Sequence, residues 1–370
     1  MLIQLAILGL LVALLPLTVV WASKDADKFR KLAWVTLFLT FDLIMFGAFT
    51  RLTDSGLGCP DWPGCYGHAN PVAAHGEISA AEAAMPDGPV TVVKAWIEMI
   101  HRYFAMAVGV LIVAMMVIAW RRWFKSGRRV DLPVPVLPTL LFGFVCLQGA
   151  FGAWTVTLKL QPVIVTIHLL LGMLLLGMLT WMAARQTSHV PVAPAGARLR
   201  LASAVGLAVL VMQIALGGWV STNYAALACT DYPLCHGALV PKMDYEHGFT
   251  LWRQLGMTAG GDYLPFDALT AIHWTHRTFA LVVVAFLGWL GYRATRIDGL
   301  QKTGRAMLAV LALQFLIGVA TVSLQWPLAI AVLHNGGAAL LVILTVMLNY
   351  KAHLSAGTQP VRAASSAYPA

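Results

Sequence analysis

Charged residues are scarce in this chain of 370 residues. Asp, Glu, Lys and Arg make up only 11% of it and hydrophobic residues 59%, whereas soluble domains contain about 25% charged residues. So few charges cannot cover a soluble globular surface, but they suit a surface that faces lipid. Nine apolar runs approach the roughly 20 residues that a helix needs to cross a bilayer core, so we predict an all-α membrane protein. The runs lie near Leu2–Trp21, Leu32–Phe49, Ala95–Trp120, Val134–Val156, Val163–Ala184, Leu201–Val220, Leu269–Tyr292, Ala306–Leu324 and Leu328–Tyr350.

Acidic residues are fewer than basic residues. The chain has 16 acidic and 25 basic residues, which gives a net charge of +9. Such an excess is typical of nucleic-acid binding, but here its placement indicates membrane orientation instead. Every second loop, together with the C-terminal tail, holds most of the basic residues, which is the positive-inside pattern of cytoplasmic loops. We therefore expect the lipid bilayer, and no nucleic acid, as a partner. These residues are Lys24, Lys28, Arg30, Lys31, Arg121, Arg122, Lys125, Arg128, Arg129, Arg185, Arg198, Arg200, Arg293, Arg296, Lys302, Arg305, Lys351 and Arg362.

No basic segment precedes the first apolar run, and the run is long for a signal peptide. The sequence also lacks the Arg- and Ser-rich start of a mitochondrial presequence, which favours a bacterial inner membrane. We interpret Leu2–Trp21 as an extra N-terminal span with an external N-terminus. A processed leader and an interfacial segment are the alternatives.

The other eight runs contain an internal repeat, in which four motifs occur twice in the same order. We predict two tandem four-helix repeats that form an eight-helix bundle, with a pseudo-twofold axis along the membrane normal. The predicted division is an extra helix and linker at 1–31, an N-terminal half at 32–200, a C-terminal half at 201–350 and a cytoplasmic tail at 351–370. The matching motifs are CPDWPGC at Cys59–Cys65 with CTDYPLC at Cys229–Cys235, His101-Arg102 with His276-Arg277, Leu147–Leu158 with Leu313–Leu324, and His168 with His334.

Four histidines stand inside spans, each near the outer end of its span. His101 and His168 belong to the first half, and His276 and His334 to the second. Ionisable residues in spans are costly and therefore functional candidates, and a haem iron can take two axial imidazoles. We predict two bis-histidine haem sites near one membrane face. Zinc is less favoured, because no Cys or carboxylate cluster beside these histidines completes a tetrahedral site. A proton relay or plain helix packing would leave the symmetric pairing of the histidines unexplained.

One position breaks the symmetry of the two halves. Glu98 precedes His101 by three residues, where His273 precedes His276, and residues three apart share a helix face. A carboxyl group in such a pocket can act as an acid or a base, so Glu98 marks the first half as the catalytic candidate. A hydrogen bond to a helix end or loop is its structural alternative. For His273 we expect a structural or propionate-contacting role.

Three arginines close to these histidines are candidates for binding haem propionates, since Arg forms bidentate bonds to carboxylates. Arg102 and Arg277 directly follow their histidines, and Arg51 stands at the outer end of its span. Snorkelling to lipid headgroups is the alternative.

Four of the five cysteines form two pairs in the long outer loops, Cys59 with Cys65 and Cys229 with Cys235. The outer side of a bacterial membrane is oxidising, so we predict two disulfides. Each is interpreted as a structural clip on its loop, because no C-x-x-C spacing occurs. A redox-active pair that passes electrons to haem is the alternative. Cys146 lies within a span, where we expect it to pack.

The segment RLTDSGLGCPDWPGCYG, the EMIHR run at Glu98–Arg102 and the later His168, His276-Arg277 and His334 together resemble the haem A synthase family. The likeness covers about Thr50 to Tyr350. It implies that the C8 methyl group of haem O is oxidised to a formyl group by two hydroxylations with water-derived oxygen, which gives haem A for terminal oxidases. It also implies haem b on His276 and His334, substrate haem on His101 and His168, and Glu98 beside the reacting centre. Family members have eight spans, so the first helix here departs from the pattern.

Two other functions stay open on the residues alone. A di-haem b-type electron carrier needs only the four histidines, and a haem transporter would deliver porphyrin to a partner. The resemblance implies haem O as substrate, with a haem O synthase and an electron acceptor as candidate partners. A homo-oligomer is compatible with Gly143, Gly149 and Gly152, although such glycines also serve packing within one chain.

Overall fold

A computed structural model describes residues 1–127 and 135–355, and within them the chain is all-helical, with no β-strand. Nine of the described helices are long and apolar enough to cross a membrane. The prediction of an all-α, multi-pass membrane protein with an extra N-terminal span is therefore confirmed, and the two-repeat arrangement stays a prediction. The helices are α1 (Leu2–Ala22), α2 (Lys28–Leu52), α3 (His75–Ala84), α4 (Val92–Lys125), α5 (Val136–Thr157), α6 (Pro162–Arg185), α7 (Leu199–Thr222), α8 (Tyr245–Gly248), α9 (Phe266–Thr295), α10 (Gln301–Ser323) and α11 (Leu328–Leu354).

Two helices begin within a few residues of the predicted divisions of the chain, which stay predictions. The linker expected to reach residue 31 ends earlier, because Asp27 caps α2 by accepting hydrogen bonds from the backbone N–H groups of Phe29 and Arg30, both at 3.1 Å. Helix α7 begins at Leu199, just inside the range expected for the first half. Arg128, Arg129 and Arg362, which contribute to the charge pattern, lie outside the described residues, as does the tail beyond residue 355.

The helices enclose one large apolar core, in which buried side chains of α1, α2, α4, α5, α6, α7, α9, α10 and α11 meet. Helix α11 contacts α2, α6, α7 and α10. Its Asn349 side chain donates to the Ser203 hydroxyl of α7 at 2.8 Å. Helix α1 packs on α4, where a Cβ on Gly9 would stand 3.0 Å from Cβ of Met106. The extra helix is thus attached to α4 and α2, and its Val20 is part of the same apolar core.

The two long connections carry structure of their own. The first, between α2 and α4, contains the ten-residue helix α3, and the second, between α7 and α9, contains the single turn α8. A second buried cluster joins the first connection to α1 and α4, with Cys59, Cys65, Ile78 and Met99 among its members. Packing of this kind fixes the loop on the end of α4, which is where the candidate site begins.

Candidate functional site

One cavity of about 740 Å³ lies inside the helical bundle and is lined by both halves of the chain. Its walls include all the residues, apart from the cysteines, that the sequence singles out as site candidates. These are Arg51, Glu98, His101, Arg102, His168, His273, His276, Arg277 and His334. The fold therefore brings together residues that are up to 283 positions apart in the sequence (Arg51 to His334).

Each of the four span histidines lies with its ring against a glycine of a neighbouring helix. A Cβ built on Gly47, Gly152, Gly217 or Gly318 would stand 3.0, 3.3, 2.9 or 3.0 Å from Cε1 of the facing ring. Any side chain at these positions would press on the imidazole, because such contacts are tighter than ordinary packing allows. The facing rings are, in the same order, those of His101, His168, His276 and His334.

Three of the four histidines are also held by a glutamine that the sequence reading missed. Each glutamine stands four residues before the glycine and donates from its side-chain amide to the backbone carbonyl of the histidine. The bonds are Gln148 to His168 at 3.0 Å, Gln213 to His276 at 3.2 Å and Gln314 to His334 at 2.9 Å. A Q-x-x-x-G pattern in three spans was the signal available in the sequence.

The fourth histidine lacks this support. Leu43 stands four residues before Gly47, at the position where the other three helices carry glutamine, and it lines the cavity. Leucine has no donor for the backbone carbonyl of His101. The ring of His101 instead stacks with Phe46, with 6.2 Å between ring centroids. His101 is thus the least restrained of the four histidines.

The residues of the cavity fit a haem. The Nδ1 atoms of His101, His168 and His334 are buried and have no hydrogen-bond partner, and imidazole nitrogens of this kind are axial ligands for haem iron. No cluster of three or more His, Cys, Asp or Glu suited to a bare metal ion occurs in the described part of the chain. A porphyrin supplies four iron ligands itself, so two histidines are enough in a haem site where they would not be enough for zinc.

Glu98 connects the cavity to the first cysteine loop. Its Oε2 accepts a hydrogen bond from the backbone N–H of Cys59 at 2.8 Å, and its Oε1 forms an ion pair with Arg102. The glutamate is only 4% exposed. The preceding Gly58 permits this approach, because a Cβ there would collide with the backbone carbonyl of Lys94. The loop and α4 can therefore meet only if residue 58 has no side chain.

Arg102 takes part in the same connection between α4 and the first cysteine loop. Beside Glu98, its guanidinium donates to the backbone carbonyls of Asp61 at 3.0 Å, Pro63 at 3.3 Å and Gly64. Its place in the structure is therefore that of a brace between Glu98 and the loop, and its contact with a propionate stays a prediction.

His273 occupies the corresponding place in the second half. Its Nδ1 accepts a hydrogen bond from the backbone N–H of Cys229 at 3.1 Å, and the residue is 3% exposed. The following Arg277 donates to the carbonyls of Pro233 at 3.3 Å and Leu234 at 3.0 Å, while its Nη1 is buried without a partner. Arg277 thus has a buried donor available to an anion in the cavity.

Both cysteine pairs form disulfides, as predicted. Inside the second loop the Asp231 carboxylate accepts the backbone N–H groups of Gly237 at 2.9 Å and His236 at 2.8 Å. The bond from Gly237 is the main cause of a lowered pKa of Asp231. Trp62 and Pro63 of the first loop and Tyr232 of the second line the cavity. The disulfide loops therefore cover it.

Arg51 joins the two halves at the loop end of α2. Its guanidinium donates to the carbonyl of Ser221 at 2.6 Å and to Asp54 at 3.1 Å, and it lies 4.2 Å from the ring centre of Tyr224.

Cys146, expected to pack inside a span, is instead exposed and reaches the cavity wall. Helix α5 is covered at few positions, since Pro138, Leu141 and Val156 are its only buried residues.

Fold and site together define a polytopic membrane protein with two pairs of buried histidines around an internal cavity. Residues 30–346 match the family model described as cytochrome oxidase assembly protein (COX15-CtaA), and the chain belongs to this family. A protein of Shewanella oneidensis named "Heme A synthase" is 39% identical over 325 residues, which cover 86% of this chain and 96% of the relative. A protein of the same name from Bradyrhizobium diazoefficiens is 28% identical over 367 residues, covering 91% and 96%.

Proposed function

We propose that this chain is a haem A synthase, an oxidoreductase that converts the C8 methyl group of haem O into the formyl group of haem A. The observation that carries the proposal is the difference between Glu98 and His273. These two residues accept equivalent hydrogen bonds from Cys59 and Cys229, and both line the cavity. Among the described residues that line the cavity, only Glu98 of the first half offers a carboxylate beside a histidine pair, and an electron carrier has no use for one.

The reaction consists of two hydroxylations with oxygen from water. Each adds one water oxygen to the substrate carbon and releases two electrons and two protons to an acceptor, and the resulting diol loses water to give the formyl group. The carboxylate of Glu98 is the group in the cavity suited to take up a proton. Arg102 and the N–H of Cys59 fix the direction of this carboxylate, because they bind one oxygen each.

The two histidine pairs have different tasks in this proposal. His276 and His334 hold a resident haem b, which can pass electrons singly, and His101 and His168 hold the substrate haem. The glutamines support this division, since both histidines of the second half have one and His101 has none. A ligand that must let its haem go after each turnover benefits from weaker restraint.

The arginines of the cavity, the membrane location and the partners complete the proposal. Arg277, with its unpartnered Nη1, contacts a propionate of haem b, while Arg51 and Arg102 are the candidates at the substrate haem. The protein lies in a bacterial inner membrane with both sites toward the periplasmic side. A haem O synthase delivers the substrate, and a separate redox partner removes the electrons.

Pigment extraction tests the proposal against a di-haem electron carrier. Protein purified from cells that make haem O is expected to yield about one haem b per chain with less than one equivalent of haem O or haem A. An electron carrier yields two haem b and neither of the others. Membranes supplied with haem O must also form haem A, and wild-type membranes that form none would refute the synthase assignment.

A further inference from the structure

A second, smaller cavity of about 320 Å³ lies in the connection between α8 and α9, outside the haem cavity. Arg253, Gln254, Thr258 and the turn at Gly260 line it from the loop. Gln161 lines it from the bundle and is the residue directly before α6. Nothing in the proposed haem chemistry uses these residues.

Arg253 is a buried cation without an anion. It is 3% exposed, donates from Nη1 to the carbonyl of Met257 at 3.2 Å and from Nη2 to the side chain of Asn223, and lies 5.8 Å from the ring centre of Trp219. Its Nε is buried and has no partner. No carboxylate of the described residues forms an ion pair with it, and burial lowers the pKa of its guanidinium. A buried charge left in this condition is costly unless an opposite charge compensates it.

The groups around Arg253 suit an anion. Gln161 and Thr258 are buried polar residues, both 8% exposed, and Gln254 contributes an amide. Helix α6 starts directly after Gln161, so the positive end of its dipole adjoins the cavity. Helix N-termini together with arginine are the usual protein environment of phosphate groups.

The position of the cavity indicates where such an anion comes from. Trp252 lines the cavity and is 66% exposed, and Tyr263 on the same loop is 85% exposed. Exposed Trp and Tyr at the ends of spans lie at the level of the lipid headgroups. The cavity is therefore at the depth at which phospholipid phosphates are found.

We infer that this cavity is a binding site for a phosphate oxyanion, with Arg253 as its cationic ligand and a phospholipid headgroup as its source. A guanidinium that keeps a free buried N–H beside two polar side chains and a helix N-terminus can bind such a group bidentately. The bound lipid would hold the loop between α8 and α9 on the start of α6, which also borders the haem cavity through Val165 and His168.

The test uses the full-length protein in detergent after removal of lipid. Three probes are titrated while intact-complex mass spectrometry and the thermal unfolding midpoint are followed: a short-chain phosphatidylglycerol, the corresponding diacylglycerol without phosphate, and inorganic phosphate. The phosphatidylglycerol is expected to bind and to raise the midpoint, and the diacylglycerol is not. Gln254→Glu places a negative charge at the cavity without touching any contact of Arg253 and should weaken binding at least about tenfold.

Two further variants complete the design. Arg253→Gln should abolish binding. Arg121→Gln removes an exposed charge near the C-terminal end of α4, outside the cavity, and should leave binding unchanged. Equal binding of phosphatidylglycerol and inorganic phosphate supports the oxyanion site but identifies free phosphate as the ligand. Equal binding of the diacylglycerol, or undiminished binding by folded Gln254→Glu protein, would overturn the inference.

Discussion

The backbone N–H of Cys59 donates a hydrogen bond to Oε2 of Glu98 at 2.8 Å, across the boundary between a disulfide loop and a membrane helix. In the second half Cys229 donates to Nδ1 of His273 at 3.1 Å in the same way. Replacing a carboxylate with an imidazole keeps the acceptor but removes the negative charge. The two loops are therefore anchored alike, while among the described residues that line the cavity only Glu98, in the first half, brings a negative charge beside a histidine pair.

Glu98→Gln should remove the proton acceptor and keep the anchor, since the amide oxygen can still accept from Cys59. We expect haem A formation to fall by roughly 10²–10⁴-fold, the usual contribution of a general acid or base, with haem b content unchanged. The matched control is His273→Gln, which makes the equivalent change in the second half. Haem A yield in membranes fed with haem O is the measurement. Equal losses in the two variants would contradict a special role of the carboxylate, because His273→Gln removes no negative charge.

Leu43→Gln should give His101 the amide that the other three histidines have. A hydrogen bond of this kind contributes about 0.6–1 kcal/mol, so haem bound in the first half should leave about three- to fivefold more slowly. Haem O and haem A retained per chain should rise, and turnover should drop if release limits it. Transfer of haem to an acceptor protein measures the rate. Leu43→Met, which adds no donor, is the control, and faster release from the Gln variant would contradict the proposed role.

Gly217→Ala should disturb the resident haem. The added Cβ would lie 2.9 Å from Cε1 of His276, so the ring must move or the helices must separate, at a cost of typically 1–3 kcal/mol. We expect a shifted reduced-minus-oxidised spectrum and lower haem b content. Gly149→Ala is the control, because that glycine also lines the cavity but has nothing within 4 Å of its Cβ position. Identical spectra for the two variants would mean that the close contact does not position the ligand.

Much of this arrangement was predictable from sequence because its signals are local. Apolar length predicts the spans, and the histidine and cysteine motifs point to the residues that the cavity and the disulfides use. The glutamine contacts were not predicted, because their bonds join different helices and the Q-x-x-x-G pattern does not by itself show which helix each glutamine meets. Arg102 was assigned to a propionate from its place beside His101. In the structure Arg102 pairs with Glu98, which helix spacing brings near, and with the carbonyls of Asp61, Pro63 and Gly64, which no spacing rule brings near.

Acid should loosen the second disulfide loop through Asp231. Because the N–H groups of Gly237 and His236 lower the pKa of Asp231 in the folded loop, its contribution to stability is present above the ordinary aspartate pKa. That contribution is lost as the pH falls through the lower folded value. Hydrogen exchange at Gly237, corrected for its intrinsic pH dependence, should show weaker protection at pH 3 than at pH 6. Asp231→Asn should reduce this difference, and an unchanged difference would exclude Asp231 as its cause.

Cys229→Ala should impair folding more than turnover if the second disulfide is a structural clip. Opening a loop this short costs about 2 kcal/mol in the chain-entropy account, and the loop places Cys229 against His273. We therefore expect a lower unfolding midpoint and less haem b per chain, with haem A formation per remaining holoprotein close to that of wild type. Cys146→Ala controls for the loss of a thiol, since that residue forms no disulfide. An unchanged midpoint with lost turnover would favour a redox role, because a pair that carries electrons is needed for the reaction even when the loop is folded.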